Sequence, residues 1–233
     1  MFKNPLRSLF RGARDPSGPA PGSPPTGAGP SRPRPPREPA EITKQSHGIA
    51  EFVGSIRDES GLAILDLGEL CQPNVTFITN LGHRLSTVDF LRTLDAMTAG
   101  EDPPGGPSHK DRIEAFLDET LRYDEASLDG ALVWDCLEFL SRPLLLATVA
   151  RLHAILRPGA YMLALFHTDA RAEYLPSYSY RIAGHKTLQL AVRVERPAVQ
   201  CFNNRDIERL FQNFSSVKFF LSRDNLREAI VRR

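Results

Sequence analysis

Polar and apolar positions along the chain change period several times, and each change marks an element. Residues 62–67, Leu-Ala-Ile-Leu-Asp-Leu, are almost continuously apolar. Such a run reads as a strand buried on both faces. The chain turns at Gly68, and Pro73 stands where a first helical turn begins, its missing N–H costing nothing there. Val75, Ile78 and Leu81 keep helical spacing, and Gly82 takes the place of a left-handed cap. A second short strand, 84–88, ends at Asp89. The whole stretch reads as one β-α-β unit.

The flanking pattern extends this unit. Ile49, Phe52, Val53 and Ile56 predict a helix over 43–58. Helices are expected at 90–98 and 111–121, separated by the Gly/Pro loop 100–108. No clear third parallel strand follows them. Residues 128–135 read as a buried strand ending in Asp135. Ser141-Arg142-Pro143 opens a helix with a wide apolar stripe through Leu144, Leu145, Val149, Leu152 and Ile155, and Arg157-Pro158-Gly159 stops it. A strand over 160–166 follows. Strand, helix and strand joined by short connections argue for a parallel sheet covered by helices. Then the pattern changes. Residues 178–182 and 187–195 alternate like a hairpin about Gly184. Asn203 or Asn204 caps a helix carrying Ile207, Leu210, Phe211 and Phe214. Strands at 216–221 and 226–232 are joined by a turn too short for a crossover, so they run antiparallel.

Composition changes this picture at one end. Residues 1–40 hold eleven of the nineteen prolines, with seven Lys/Arg against two Asp/Glu. Little there can bury area against the entropy of ordering, so a disordered arm is expected, followed by one α/β domain over 41–233. The remainder has 22 basic and 26 acidic residues, a mildly acidic globule. That balance argues against nucleic acid. Phe2, Leu6, Leu9 and Phe10, amid Lys3, Arg7 and Arg11, share a helical face that suits an anionic membrane or a partner groove. An unstructured tail is the simpler reading, since Pro5 interrupts the stretch, and the Pro density argues against a transit peptide. Cys71, Cys136 and Cys201 have neither metal-ligand nor disulfide spacing, nor do the six histidines suggest a metal. With no spanning segment or secretory core, a reduced, cytoplasmic protein is expected.

The candidate chemistry lies at strand ends, where ligands of open α/β sheets bind. Asp89, about 20 residues beyond a strand-to-helix turn, stands where Rossmann units bind ribose hydroxyls. The turn keeps only Gly68, with Glu69, Leu70, Cys71 and Gln72 in place of further glycines. Asp135 and Glu138 follow one strand, and His167 and Asp169 another. Asp135 and His167 are the candidate bases, with a capping carboxylate and a solvent-exposed loop histidine as the bland alternatives. Trp134 reads as core. Tyr174, Tyr178 and Tyr180, with Arg171 and Arg181, form a stretch suited to an acceptor site or a lid.

Four segments in order resemble a known family. Ile64-Leu65-Asp66-Leu67-Gly68, Asp89, the strand ending at Asp135, and Leu156-Arg157-Pro158-Gly159 together resemble a class I S-adenosylmethionine-dependent methyltransferase from about Ile49 to the C-terminus. The closing antiparallel hairpin agrees. The resemblance implies a three-layer Rossmann-like fold with a mostly parallel sheet of seven strands, or six, and one reversed strand near the C-terminus. It implies an S-adenosylmethionine site lined by Asp66, Gly68, Asp89 and Asp135, with Asp89 on the ribose. The glycine-poor loop departs from the family pattern, and Leu70 is expected to project into cofactor space. Two functions follow: methyl transfer to a small-molecule or lipid acceptor, or a pseudoenzyme scaffold whose arm recruits a partner or membrane. A nicotinamide-dependent oxidoreductase fits less well, for it too needs the missing glycines.

Overall fold

The computed structural model describes residues 41–98, 108–169, 171–221 and 225–233. The expected arm, the Gly/Pro loop before Ser108 and most of the last turn lie outside them. Six strands form the main sheet: β2 (Ala63–Asp66), β3 (Arg84–Thr87), β4 (Leu128–Trp134), β5 (Leu156–His167), β8 (Ser216–Leu221) and β9 (Leu226–Arg232). Their order is β3-β2-β4-β5-β9-β8. The first four are parallel, β9 runs antiparallel to β5, and β8 antiparallel to β9. Among the described residues the sheet has six strands, the smaller of the two counts expected. Between β3 and β4 the described residues contain helices only.

The helices are α1 (His47–Ile56), α2 (Gln72–Asn80), α3 (Phe90–Thr98), α4 (His109–Thr120), α5 (Arg142–Ile155) and α6 (Asn204–Leu210). A 3-10 turn, Cys136–Phe139, follows β4. Neighbouring strand residues enter different clusters, as the period of two requires. Ile64 and Leu163 pack with Phe52 of α1 and Ile78 of α2. Leu65 and Ala164 pack with Phe90, Phe116, Leu145 and Phe211 from α3, α4, α5 and the end of α6. Each large side chain fully buried in these clusters contributes about 1.5–3 kcal/mol.

The expected first helix is shorter than its apolar pattern suggested. Residues Ile42–Gln45 instead form β1, which pairs antiparallel with β7 (Thr187–Pro197). β7 pairs in turn with β6 (Tyr174–Gly184), giving a second, three-stranded sheet in the order β1-β7-β6. Ser46 then caps α1 by accepting from the Ile49 N–H at 3.0 Å. One join between the two sheets is a buried ion pair. Lys44 Nζ lies 3.2 Å from Glu228 Oε1 on β9, with both side chains buried. The other oxygen of Glu228 accepts from the Gly48 N–H at 2.5 Å. A Cβ at Gly48 would stand 2.7 Å from Leu163, so the close approach of α1 to the sheet demands glycine there.

Arg157-Pro158-Gly159 is not a separate stop. Leu156 already pairs with Leu128, and the turn is taken up as an irregularity at the start of β5, with Gly159 at φ 86°.

Candidate functional site

The β2–α2 turn is organised by Asp66, the last residue of β2. Its Oδ1 accepts from the Gly68 N–H at 2.9 Å and from Trp134 Nε1 at 2.6 Å. Its Oδ2 accepts from the Asn74 amide at 3.0 Å. Burial lifts the Asp66 carboxyl above its usual range, against the pull of these three donors. The carboxylate holds its own loop, as a capping residue does. Gly68 has a packing reason as well: a Cβ there would lie 3.0 Å from both Asp66 Oδ1 and Trp134 Nε1.

Trp134 closes β4 in the left-handed region, at φ 54°. That conformation is strained for a bulky residue and costs about 1–3 kcal/mol. It turns the indole over the Asp66 loop. The indole is buried, as expected of a core residue, but the core it joins is completed by the hairpin. Tyr180 of β6 stacks on it, with centroids 4.7 Å apart and planes 3° from parallel.

The β6–β7 hairpin is thus the second wall of the groove. Asn74 reads its backbone twice, donating to the Tyr180 carbonyl at 3.0 Å and accepting from the Ile182 N–H at 2.8 Å. Ser179 donates to Glu69. Opposite them, Val192 pairs with Tyr178 and Val194 with Ser177, so Arg193 is the extra residue of a β-bulge. Bulges re-aim side chains. Here Arg193 forks onto Asp89, with contacts of 3.1 Å and 2.9 Å, and its Nε lies 3.2 Å from Glu69. The Asp89 partnership raises the Arg193 pKa further.

A buried acidic cluster completes the floor. Asp135 Oδ2 accepts from the Tyr178 N–H at 3.2 Å. The Tyr180 hydroxyl faces the same carboxylate, off the geometry of a made hydrogen bond. Burial pushes the Asp135 carboxyl up to about 6, with nearby His167 opposing the rise. Glu138 accepts from the His167 backbone N–H at 2.9 Å and meets its Nδ1 at 2.6 Å. Burial raises Glu138 too. For His167 burial acts downward, but the Glu138 partnership outweighs it and the net shift is upward. His167 is buried and stacks on Tyr178 rather than lying on an exposed loop.

The structure brings Gly68, Asp89 and Asp135 together around one cavity, with Asp66 behind Gly68. Leu70 does not intrude: it is 74% exposed, because the loop is drawn inward at Asp66 and Asn74 and leaves Leu70 outside. What fills the space is Trp134, Tyr178, Tyr180 and Arg193. The remaining cavity measures about 10 Å³. A ligand pocket needs roughly 300–1,000 Å³. The residues present therefore do not fit a nucleoside cofactor in this conformation. Asn74 and Arg193 were missed by sequence reasoning. Arg193 acts on Asp89, 104 residues away, and Asn74, besides its bond to Asp66 eight residues back, reads the backbone of a hairpin more than 100 residues on, which no local spacing marks.

The sheet order now gives the fold. Rossmann sheets run 3-2-1-4-5-6. With β2 counted as first, this sheet keeps 2-1-4-5 in that order, has no third strand among the described residues, and adds a reversed strand beside the fifth. The fold is a Rossmann-like α/β sheet with a reversed strand near its C-terminal end. No family model matches the sequence, and no curated protein does. Among solved structures it is similar to the 1,6-didemethyltoxoflavin-N1-methyltransferase of Burkholderia thailandensis with bound 1,6-didemethyltoxoflavin and S-adenosylhomocysteine. That match has 14% identity over 81% of this chain and 79% of that one, with a TM-score of 0.44. An S-adenosylmethionine-dependent methyltransferase of Mesorhizobium loti matches at 13% identity over 78% and 96%, TM-score 0.46. One from Methanosarcina mazei matches at 14% over 75% and 93%, TM-score 0.41. At such distances the strand order carries the fold, and activity must be argued from this groove.

Proposed function

We propose that this chain is a pseudoenzyme, a methyltransferase-like fold retained as a scaffold rather than for methyl transfer. One observation carries the reading: the groove between Gly68 and Asp89 is closed to about 10 Å³ by its own hairpin. The polar groups a cofactor would use are also spent. Asp89 is forked by Arg193 and Asp66 is satisfied by three donors. Recruitment of a protein partner or an anionic membrane then falls to the basic arm, residues 1–40. The test is calorimetric titration of the full chain with S-adenosylmethionine and S-adenosylhomocysteine. No heat at millimolar ligand is expected. Micromolar binding that disappears in Asp89→Ala would refute the scaffold.

A second reading is supported by Asp89 itself, which stands at the end of β3 beside Gly68. In it the hairpin swings away, S-adenosylmethionine takes the place of Arg193, and a small-molecule or lipid acceptor is methylated. Hydrogen exchange separates the two readings. Faster exchange of the Tyr178 and Ile182 amides on adding cofactor belongs to the enzyme alone.

A further inference from the structure

The two halves of the β6–β7 hairpin are held differently. The near half is fixed by backbone pairing and by an amide: β1 pairs with Thr187–Leu190, and Asn74 holds the Tyr180 carbonyl and the Ile182 N–H. The far half is Tyr174–Tyr178, paired with Val192–Pro197. It sits on side chains that titrate. Asp135 Oδ2 accepts from the Tyr178 N–H, and the Tyr178 ring stacks on His167 with centroids 6.0 Å apart. The Pro176 carbonyl also lies against the His167 ring. Tyr180, where the halves meet, turns its hydroxyl toward Asp135.

The seat is poorly balanced for charge. Asp135 and Glu138 are two buried carboxylates beside one imidazole, and Glu138 takes that imidazole at 2.6 Å. The other charged groups facing them are Arg193 of β7, Arg227 of β9 and, across the small cavity, Asp89. Arg193 is engaged with Asp89 and Glu69, and Arg227 with the Phe202 carbonyl. Cys136 and Tyr180 also border Asp135, and burial pushes both their pKa values up, so they stay neutral. His167 Nε2 and the Tyr180 hydroxyl are buried without a hydrogen-bond partner. An ionised Asp135 beneath the hairpin thus lacks the donors that a buried carboxylate needs.

We propose that the far half of the hairpin is a pH-sensitive flap over the Gly68–Asp89 groove, seated while the Asp135–Glu138–His167 cluster holds its protons and lifting on a hinge at Tyr180 as it loses them. Lifting returns Asp135 to water, where its pKa falls from about 6 toward the ordinary 3.8. The seated state therefore binds the proton more tightly, and its advantage shrinks as pH rises through that interval. His167 and Glu138, both raised in the seated state, act in the same direction. The flap rests on neither reading of the groove, since its trigger is the proton and not a cofactor.

The test is amide hydrogen exchange on the full chain without ligand, at pH 5 and pH 8, corrected for the intrinsic rate. The Tyr178 amide should lose about tenfold in protection between the two. Low urea should scarcely change its exchange, while that of Leu163 in the central strand β5 should quicken, because a local opening exposes little surface. Asp135→Asn should remove most of the fall. Tyr178 protection that is equal at both pH values overturns the flap. So does Tyr178 exchange that follows Leu163 through the urea series, for then the hairpin opens only with the whole fold. An undiminished fall in Asp135→Asn overturns Asp135 as the trigger. The native measurements decide the matter even if that variant does not fold.

Discussion

Trp134 donates its indole N–H to Asp66 across 2.6 Å, from a backbone held at φ 54°. The strained residue and the buried carboxylate hold each other in place, and Tyr180 seals the pair by stacking. Truncating Trp134 removes the bond, the stack and the bulk together. Trp134→Ala should cost about 3–5 kcal/mol in urea unfolding, as large core truncations do. Tyr180→Leu, which loses only the stack and part of the contact, should cost about 1–2 kcal/mol. Equal costs would mean that the indole bond to Asp66 contributes nothing.

Gly68 tests the same contact from the other side. A methyl group there meets Asp66 Oδ1 and Trp134 Nε1 at 3.0 Å. Gly68→Ala should destabilise by about 1–3 kcal/mol through overpacking. If glycine were present only for a cofactor, the substitution would leave the melting temperature unchanged.

Arg193 and Asp89 are each about a quarter exposed, at 27% and 21% of the side chain, so water partly screens the pair. A double-mutant cycle of Arg193→Met and Asp89→Asn should give a coupling of about 1 kcal/mol, toward the upper end of exposed pairs because the contact is bidentate. A coupling near zero in low salt would remove the hairpin's ionic latch.

Asp135 makes stability depend on pH. Its folded pKa, about 6, stands above the ordinary value of 3.8. The folded state therefore keeps a proton that the unfolded chain has released. Stability from this group is whole below pH 3.8 and drains away as pH rises toward 6, by about 3 kcal/mol in all. The upward shifts of Glu138 and His167 act in the same direction. Asp135→Asn, neutral throughout and still able to accept from Tyr178, should match the native protein at pH 4 and exceed its stability at pH 8. Parallel pH curves for the two would contradict this.

Glu228 offers a check on the join between the sheets. Its partner Lys44 and the Gly48 N–H are both buried with it. Glu228→Ala removes the buried carboxylate that Lys44 and the Gly48 N–H share, and should cost about 3–5 kcal/mol. Replacing both Lys44 and Glu228 by methionine should recover most of that loss, read as the urea midpoint.

Much of the fold was legible along the chain because it follows from local periods. The expected helix at 90–98 matches α3, the Asn203 cap matches the start of α6, and the last two strands and their reversal follow from a turn too short to cross over. The opening helix was over-read at its start. Residues Ile42–Gln45 become strand only because Thr187–Leu190 lie beside them, some 145 positions later. The hairpin was legible as a hairpin, but not the face it covers.

Sequence periodicity was enough for a parallel sheet with a reversed end and for acids at its strand tips, since each depends on neighbours within about a dozen residues. It did not reveal that those acids are already engaged. Asp89 meets a guanidinium 104 residues away, and Asp66 an indole 68 residues away. One inserted residue in β7 decides where that guanidinium points, and one left-handed residue at the end of β4 decides where the indole lies. Neither has a signature in composition or spacing, because a bulge and a strained dihedral are held by contacts from every side at once.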